Sequence, residues 1–218
     1  MEQQKKWWQS GWSAPVMEQT PKSVACKTRN MRFWLKPGES RSVVFATAEP
    51  TFCFLEHQVK LNDFRNWATC LKMIERPCEL DEISMPYSAA AFTIFDITPY
   101  TRKDGTEVPY TKRLFIAKEA VWQKIMRQAE HRIKKGESLR GAMYTIFRPD
   151  TPMSPNTGDD FNFEEMVKLE ELFEDSAEFD YATLLAPDPA LVAYYAKMAR
   201  RNPTQGGQPG AGAGQIQY

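Results

Sequence analysis

Apolar and polar positions alternate with a period of two over much of the first two-thirds of the chain and switch to a helical period in three places. Met31–Lys36 (M-R-F-W-L-K) and Ser42–Thr47 (S-V-V-F-A-T) are β-rich runs split by P-G-E-S at 37–40, a turn-forming cluster. Thr51–Lys60 and Ala89–Thr98 are longer strand candidates. Tyr100–Arg113 centres on Asp104-Gly105, a pair suited to the positive-φ positions of a hairpin turn, and Arg113–Ala117 is the returning strand. Val121, Ile125, Ala129 and Ile133, with Trp122 and Met126, then recur at helical spacing over 118–135, and Gly136 ends the run. Leu139–Arg148 returns to strand, and 151–158 reads as a loop. Phe163–Asp175 is an expected acidic amphipathic helix with Met166, Leu169, Leu172 and Phe173 on one side, and Pro189–Arg201 a last helix.

These elements predict a mainly β fold with helices (α+β). The leading form is an oligonucleotide-binding five-stranded barrel with an embedded helix and C-terminal helices. Four segments are expected: an N-terminal arm (1–30), a nucleic-acid-binding core (31–163), an acidic helical C-terminal segment (164–201) and a disordered Gly/Gln-rich tail (202–218). The arm carries Pro15 and Pro21 and sets Lys5 and Lys6 beside Trp7, Trp8 and Trp12, which either pack on the body or adhere to a partner. The tail is too poor in apolar residues to order itself.

Charge sharpens this picture. The 218 residues sum to a net charge of zero. Residues 1–148, however, hold 24 Lys and Arg against 16 Asp and Glu, while 149–190 hold one Lys against 12 acids. A basic body attracts polyanions, and the acidic segment competes for the same surface or recruits other proteins. With no signal-like apolar start and no membrane-length apolar run, the chain is expected to work in the cytoplasm. Its four cysteines, Cys26, Cys53, Cys70 and Cys78, are then thiols or metal ligands.

Two constellations carry chemistry. His57, Cys70, Cys78 and Asp81 offer one imidazole, two thiols and a carboxylate, a donor set able to hold one structural zinc. The competing reading is a buried histidine beside two inert thiols. The second constellation joins cations and aromatic rings, which single-stranded nucleic acid requires for phosphates and bases respectively. Tyr100, Arg102, Lys103, Tyr110, Lys112 and Arg113 interleave along the hairpin. Arg65, Trp67 and Tyr87 flank the metal loop, and Tyr144 and Arg148 share one strand face; Lys60, Lys72 and Arg41 are further candidates. No phosphate-cradling Gly-rich loop, nucleophile elbow or supported carboxylate pair is evident, so an enzyme is not expected.

The chain also resembles the phage single-stranded DNA-binding proteins related to the T-even helix-destabilising protein. The likeness lies in M-R-F-W-L-K-P-G (31–38), the His57-x12-Cys70 interval, N-W-A-T-C-L (66–71) and P-Y-S-A-A-A-F-T-I-F-D (86–96). It continues in Y-T-R-K-D-G-T (100–106), L-F-I-A-K (114–118), L-R-G-A-M-Y (139–144) and N-T-G-D-D-F-N-F (156–163). It covers roughly residues 31–163 and implies the oligonucleotide-binding barrel and cooperative coating of single-stranded DNA with self-association; His57, Cys70 and Cys78 match the family's zinc ligands, but the resemblance does not establish zinc in this chain. It further implies a place in phage DNA replication, recombination and repair in the infected bacterial cell, with partners met through the acidic segment. Two departures stand out. Asp81 occupies the position of a cysteine, and the chain ends G-Q-I-Q-Y rather than in acids. A second class of function is a protein–protein adaptor of a replication or transcription complex, with nucleic-acid binding incidental.

Overall fold

A computed structural model describes residues 9–10, 24–49, 52–61, 64–151 and 154–201. In chain order the elements are β1 (Gln9–Ser10), α1 (Val24–Met31), β2 (Ser40–Phe45), β3 (Phe52–Leu61), β4 (Phe64–Thr69), two 3₁₀ turns (Leu71–Ile74 and Glu79–Glu82) and β5 (Tyr87–Asp96). There follow β6 (Tyr100–Thr101), β7 (Glu107–Val108), β8 (Thr111–Lys118), α2 (Glu119–Lys134), β9 (Ala142–Phe147), β10 (Asp160–Met166), α3 (Leu169–Leu172), α4 (Tyr181–Leu184) and α5 (Pro189–Arg201). The fold is mainly antiparallel β with a few helices.

β5 is the hub. One edge pairs with β8 from Ala89↔Lys118 to Asp96↔Thr111. The other edge is divided, pairing with β3 from Glu56↔Tyr87 to Phe52↔Ala91 and then with β2 from Phe45↔Ile94 to Val43↔Asp96. Two half-sheets therefore diverge from one strand: β3 carries β1 and β4, and β2 continues into β9 and β10. Among the described residues the sheet does not close into a barrel.

Both faces of β5 are covered, which explains its unbroken burial from Ala89 to Asp96. On one face Phe92 and Ile94 join Phe45, Phe115, Tyr144 and Ile146 beneath Val121, Ile125 and Ala129 of α2. Phe45 meets Phe92 and Tyr144 edge-on at 5.9 and 5.8 Å, the arrangement that the ring quadrupoles favour. On the other face the C-terminal segment is laid along the sheet. Tyr181 and Leu185 cover Phe52, Phe54 and Leu114, while Phe173 stacks on Phe95 at 3.9 Å. The acidic stretch is thus a layer of the fold.

Three expectations are corrected. Part of the expected arm is helix α1, although the tryptophans at 7, 8 and 12 lie outside the described residues, as does the tail from 202. Met31 ends α1, and 32–36 is extended but makes only a single bridge, Arg32↔Leu114, and alternates buried Phe33 and Leu35 with exposed Trp34 and Lys36. The helix expected over 163–175 is absent. Phe161 and Phe163 follow a period of two and pair with β9 (Phe163↔Tyr144), an irregularity interrupts the ladder before Met166, and only one helical turn, α3, forms afterwards. Before it, Gly158 must be glycine: φ is +76°, and a Cβ there would sit 2.6 Å from Ile146 Cγ2.

Candidate metal centre and nucleic-acid interface

The β3–β4 hairpin sets His57 opposite Ala68, two residues before Cys70, and the Cys70 amide donates to Leu55 O at 2.8 Å. The second 3₁₀ turn brings the remaining donors: Asp81 N donates to Cys78 O at 3.1 Å, so both side chains face the hairpin. The four ligating atoms of His57, Cys70, Cys78 and Asp81 lie within 4.8 Å of one another. His57 Nδ1 is 2.7 Å from Ser84 O. A carbonyl only accepts, so Nδ1 carries the proton and the Nε2 lone pair points into the cluster. Nε2 lies 3.4 Å from Cys78 Sγ and 3.6 Å from Asp81 Oδ1.

Burial sets the electrostatics. It pushes His57 below its ordinary range, against the opposing pull of its Ser84 hydrogen bond and of Asp81, and so favours the neutral ligand form. The Cys70 thiol is pushed up to about 11, chiefly by burial, although the Lys72 backbone N–H acts the other way. Asp81 Oδ2 meets Lys72 Nζ at 3.0 Å, while its Oδ1 is buried without a hydrogen-bond partner. A divalent cation would supply the missing partner and displace the thiol protons. Cys53 is half-buried and apart from this cluster; the side chain of Cys26 lies outside the described ones.

The nucleic-acid candidates divide by location. The registers Lys60↔Arg65, Gln58↔Trp67, Glu56↔Tyr87 and Ala89↔Lys118 put Lys60, Arg65, Trp67, Tyr87 and Lys118 on one face of the sheet. Four cation–ring pairs line this end: Arg29 over Phe64 (4.5 Å), Arg32 over Trp67 (4.4 Å), Arg65 over Trp34 (5.6 Å) and Lys118 over Tyr87 (4.2 Å). Trp34 is 50% and Phe64 55% exposed. Of this group, the sequence named Arg65, Trp67 and Tyr87 as candidates flanking the metal loop and Lys60 as a further one, while its leading cluster was the hairpin. It missed Arg29, Arg32, Trp34, Phe64 and Lys118, although the alternation in M-R-F-W-L-K carried a signal for Trp34.

The hairpin is not part of this face. It lies beyond the far end of β5, about 30 Å from Tyr87 at the usual rise for a ten-residue strand. Tyr100, Arg102 and Lys103 are exposed there. Tyr110 packs on Phe95 and Phe173, and its hydroxyl accepts from Glu174 N at 3.3 Å. Lys112 pairs with Asp175 at 2.7 Å, and Arg113 donates to Asn30 O at 2.8 Å. Two expected residues leave the surface altogether. Tyr144 is 1% exposed in the core, and Arg148 is buried, donating to Leu35 O at 2.8 Å and Ser154 Oγ at 3.0 Å. They do share a strand face, as their spacing predicts, but it is the inner one. Arg41 is held by Glu39 and Asp96.

No helix among the described residues is long and apolar enough to cross a membrane. No protein-family model matches the chain, and no curated protein matches it.

Proposed function

We propose that the protein binds single-stranded DNA on the β3–β4 end of its sheet. The observation that carries this reading is the set of four cation–ring pairs at one sheet end, where Trp34 and Phe64 are exposed and Trp67 and Tyr87 half-buried. Bases stack on Trp34, Trp67 and Tyr87, while Arg29, Lys60, Arg65 and Lys118 meet phosphates. Such a surface is tolerant of sequence because every base has a π-face. Binding is passive: the protein coats exposed strands and melts weak duplex by mass action, since it favours the single-stranded form. The resemblance of residues 31–163 extends the reading to cooperative coating in phage DNA replication, recombination and repair. The exposed acids Glu164, Glu165 and Glu171 are assigned to protein partners.

The sheet is read as an open relative of the oligonucleotide-binding barrel. Its five main strands are β2, β3, β5, β8 and β9, with α2 between the last two, and β5 is shared by both halves. Zinc is the metal assigned to the quartet. Bond lengths of about 2.0–2.3 Å in a tetrahedron give donor separations of roughly 3.3–3.8 Å. The 3.4 and 3.6 Å separations around His57 Nε2 fall in that range. With four protein ligands no position is open to substrate, so the metal is structural.

The test is anisotropy of a labelled oligo-dT. Trp34→Ala and Trp67→Ala should each cost about 1–3 kcal/mol of binding. Binding unchanged in the double variant would exclude this face.

A further inference from the structure

The proposed single-strand surface has a carboxylate at its centre, which plain electrostatics would disfavour. Glu56 is 1% exposed and lies on the same sheet face as Trp67, Tyr87 and Lys60. Arg32 meets it through both terminal nitrogens, with Nη1 3.1 Å from Oε2 and Nη2 on Oε1. Tyr87 donates its hydroxyl to Oε2 at 2.6 Å. The partners of these two groups are then fixed: the Arg32 guanidinium lies 4.4 Å from the Trp67 ring centre, and the Tyr87 ring lies under Lys118 at 4.2 Å.

We infer that Glu56 is the positioning residue of the nucleic-acid surface, one buried anion that holds Arg32 and Tyr87 in place beside Trp67 and Lys118. This rests on the reading of the face as a single-strand site. A guanidinium gripped at two points by a carboxylate is planar and fixed, unlike a free cation on a flexible stem. Two rings and two cations are thereby held in place before a strand arrives, so little side-chain freedom is lost on binding. The negative charge is neutralised by Arg32 and faces inward, and so costs the surface little attraction for phosphate.

Electrostatics and positioning predict opposite signs for Glu56→Gln. Removing an anion makes the face one unit more positive, which by charge alone tightens binding to a polyanion. Positioning predicts weaker binding, by about tenfold, from the lost preorganisation. Arg32→Lys keeps the charge and loses the two-point grip. It should weaken binding by a similar factor while leaving the slope of log affinity against log salt unchanged, because the number of neutralised phosphates is the same. Both variants are titrated with oligo-dT at several salt concentrations, and far-UV circular dichroism at the titration temperature verifies the fold. Should Glu56→Gln not fold, Arg32→Lys decides. Wild-type-like or tighter binding by either folded variant overturns the assignment of Glu56 while leaving the single-strand reading intact. Failure of the wild type to bind would instead overturn that reading itself.

Discussion

Asp81 is the residue on which the metal centre turns. His57 and the two cysteines supply the softer donors, while Asp81 brings a harder oxygen and shares its carboxylate with Lys72. Asp81→Cys should therefore tighten zinc binding by at least about tenfold in a competition with a chromophoric chelator, because thiolate is the softer ligand. Cys78→Ser should weaken it. Equal affinity in all three proteins would show that the quartet is not the site. The spacing of His57, Cys70, Cys78 and Asp81 along the chain was enough to name this quartet, since a hairpin and one tight turn suffice to bring the four together. The set of cation–ring pairs was only partly legible. Arg32 over Trp67 and Lys118 over Tyr87 each join residues more than thirty positions apart, and neither contact has a local sequence signal. Tyr144 and Arg148 show the opposite failure. The period of two placed them on one face, but which face was inward depended on α2, which packs there.

At the scale of elements, α5 and the metal loop form one packed unit. Val192, Tyr195 and Ala196 share a cluster with Cys70, Cys78 and Leu80, and Arg200 pairs with Glu79 and Glu82 on either side of Asp81. On the proposed zinc assignment, a chelator should lower the thermal midpoint and speed amide exchange in α5 before it does so in β5. Unchanged exchange in α5 would show that the two are independent. Tyr195 adds a pH signature. Burial, reinforced by the neighbouring Tyr194, pushes its phenol up to about 12. Below pH 10 the folded and unfolded chains both keep the proton; above it only the unfolded chain releases it, so stability falls as pH rises from 10 toward 12. Tyr195→Phe should remove this part of the alkaline loss, as read by denaturant titrations at pH 9 and 11. The α5 boundaries were legible because Pro189 and the helical period of Val192, Tyr195 and Ala196 agree. The 163–175 region was not, because its apolar residues fit a helix on paper while Phe161 and Phe163 were claimed by the edge of β9.

For the whole molecule, a net charge of zero conceals a division of surfaces. Asp175 on Lys112 and Glu170 on Arg140 fold the first part of the acidic segment onto the body near the hairpin base, while Leu184, Leu185 and Leu191 further along it lie beside Arg32, Glu56 and Trp67. The sequence showed the charge imbalance but not this geometry, which depends on Phe173 stacking on Phe95 across the sheet. Tyr100→Ala with Arg102→Ala and Lys103→Ala should therefore reduce oligo-dT affinity far less than Trp34→Ala with Trp67→Ala. The reverse order would move the site to the hairpin. The most direct measurement is a titration of the full chain with oligo-dT, following intrinsic tryptophan fluorescence over a series of salt concentrations. The account predicts quenching, with a slope of log affinity against log salt of roughly −3 if Arg29, Lys60, Arg65 and Lys118 each neutralise one phosphate. No quenching and no binding at low salt would contradict it.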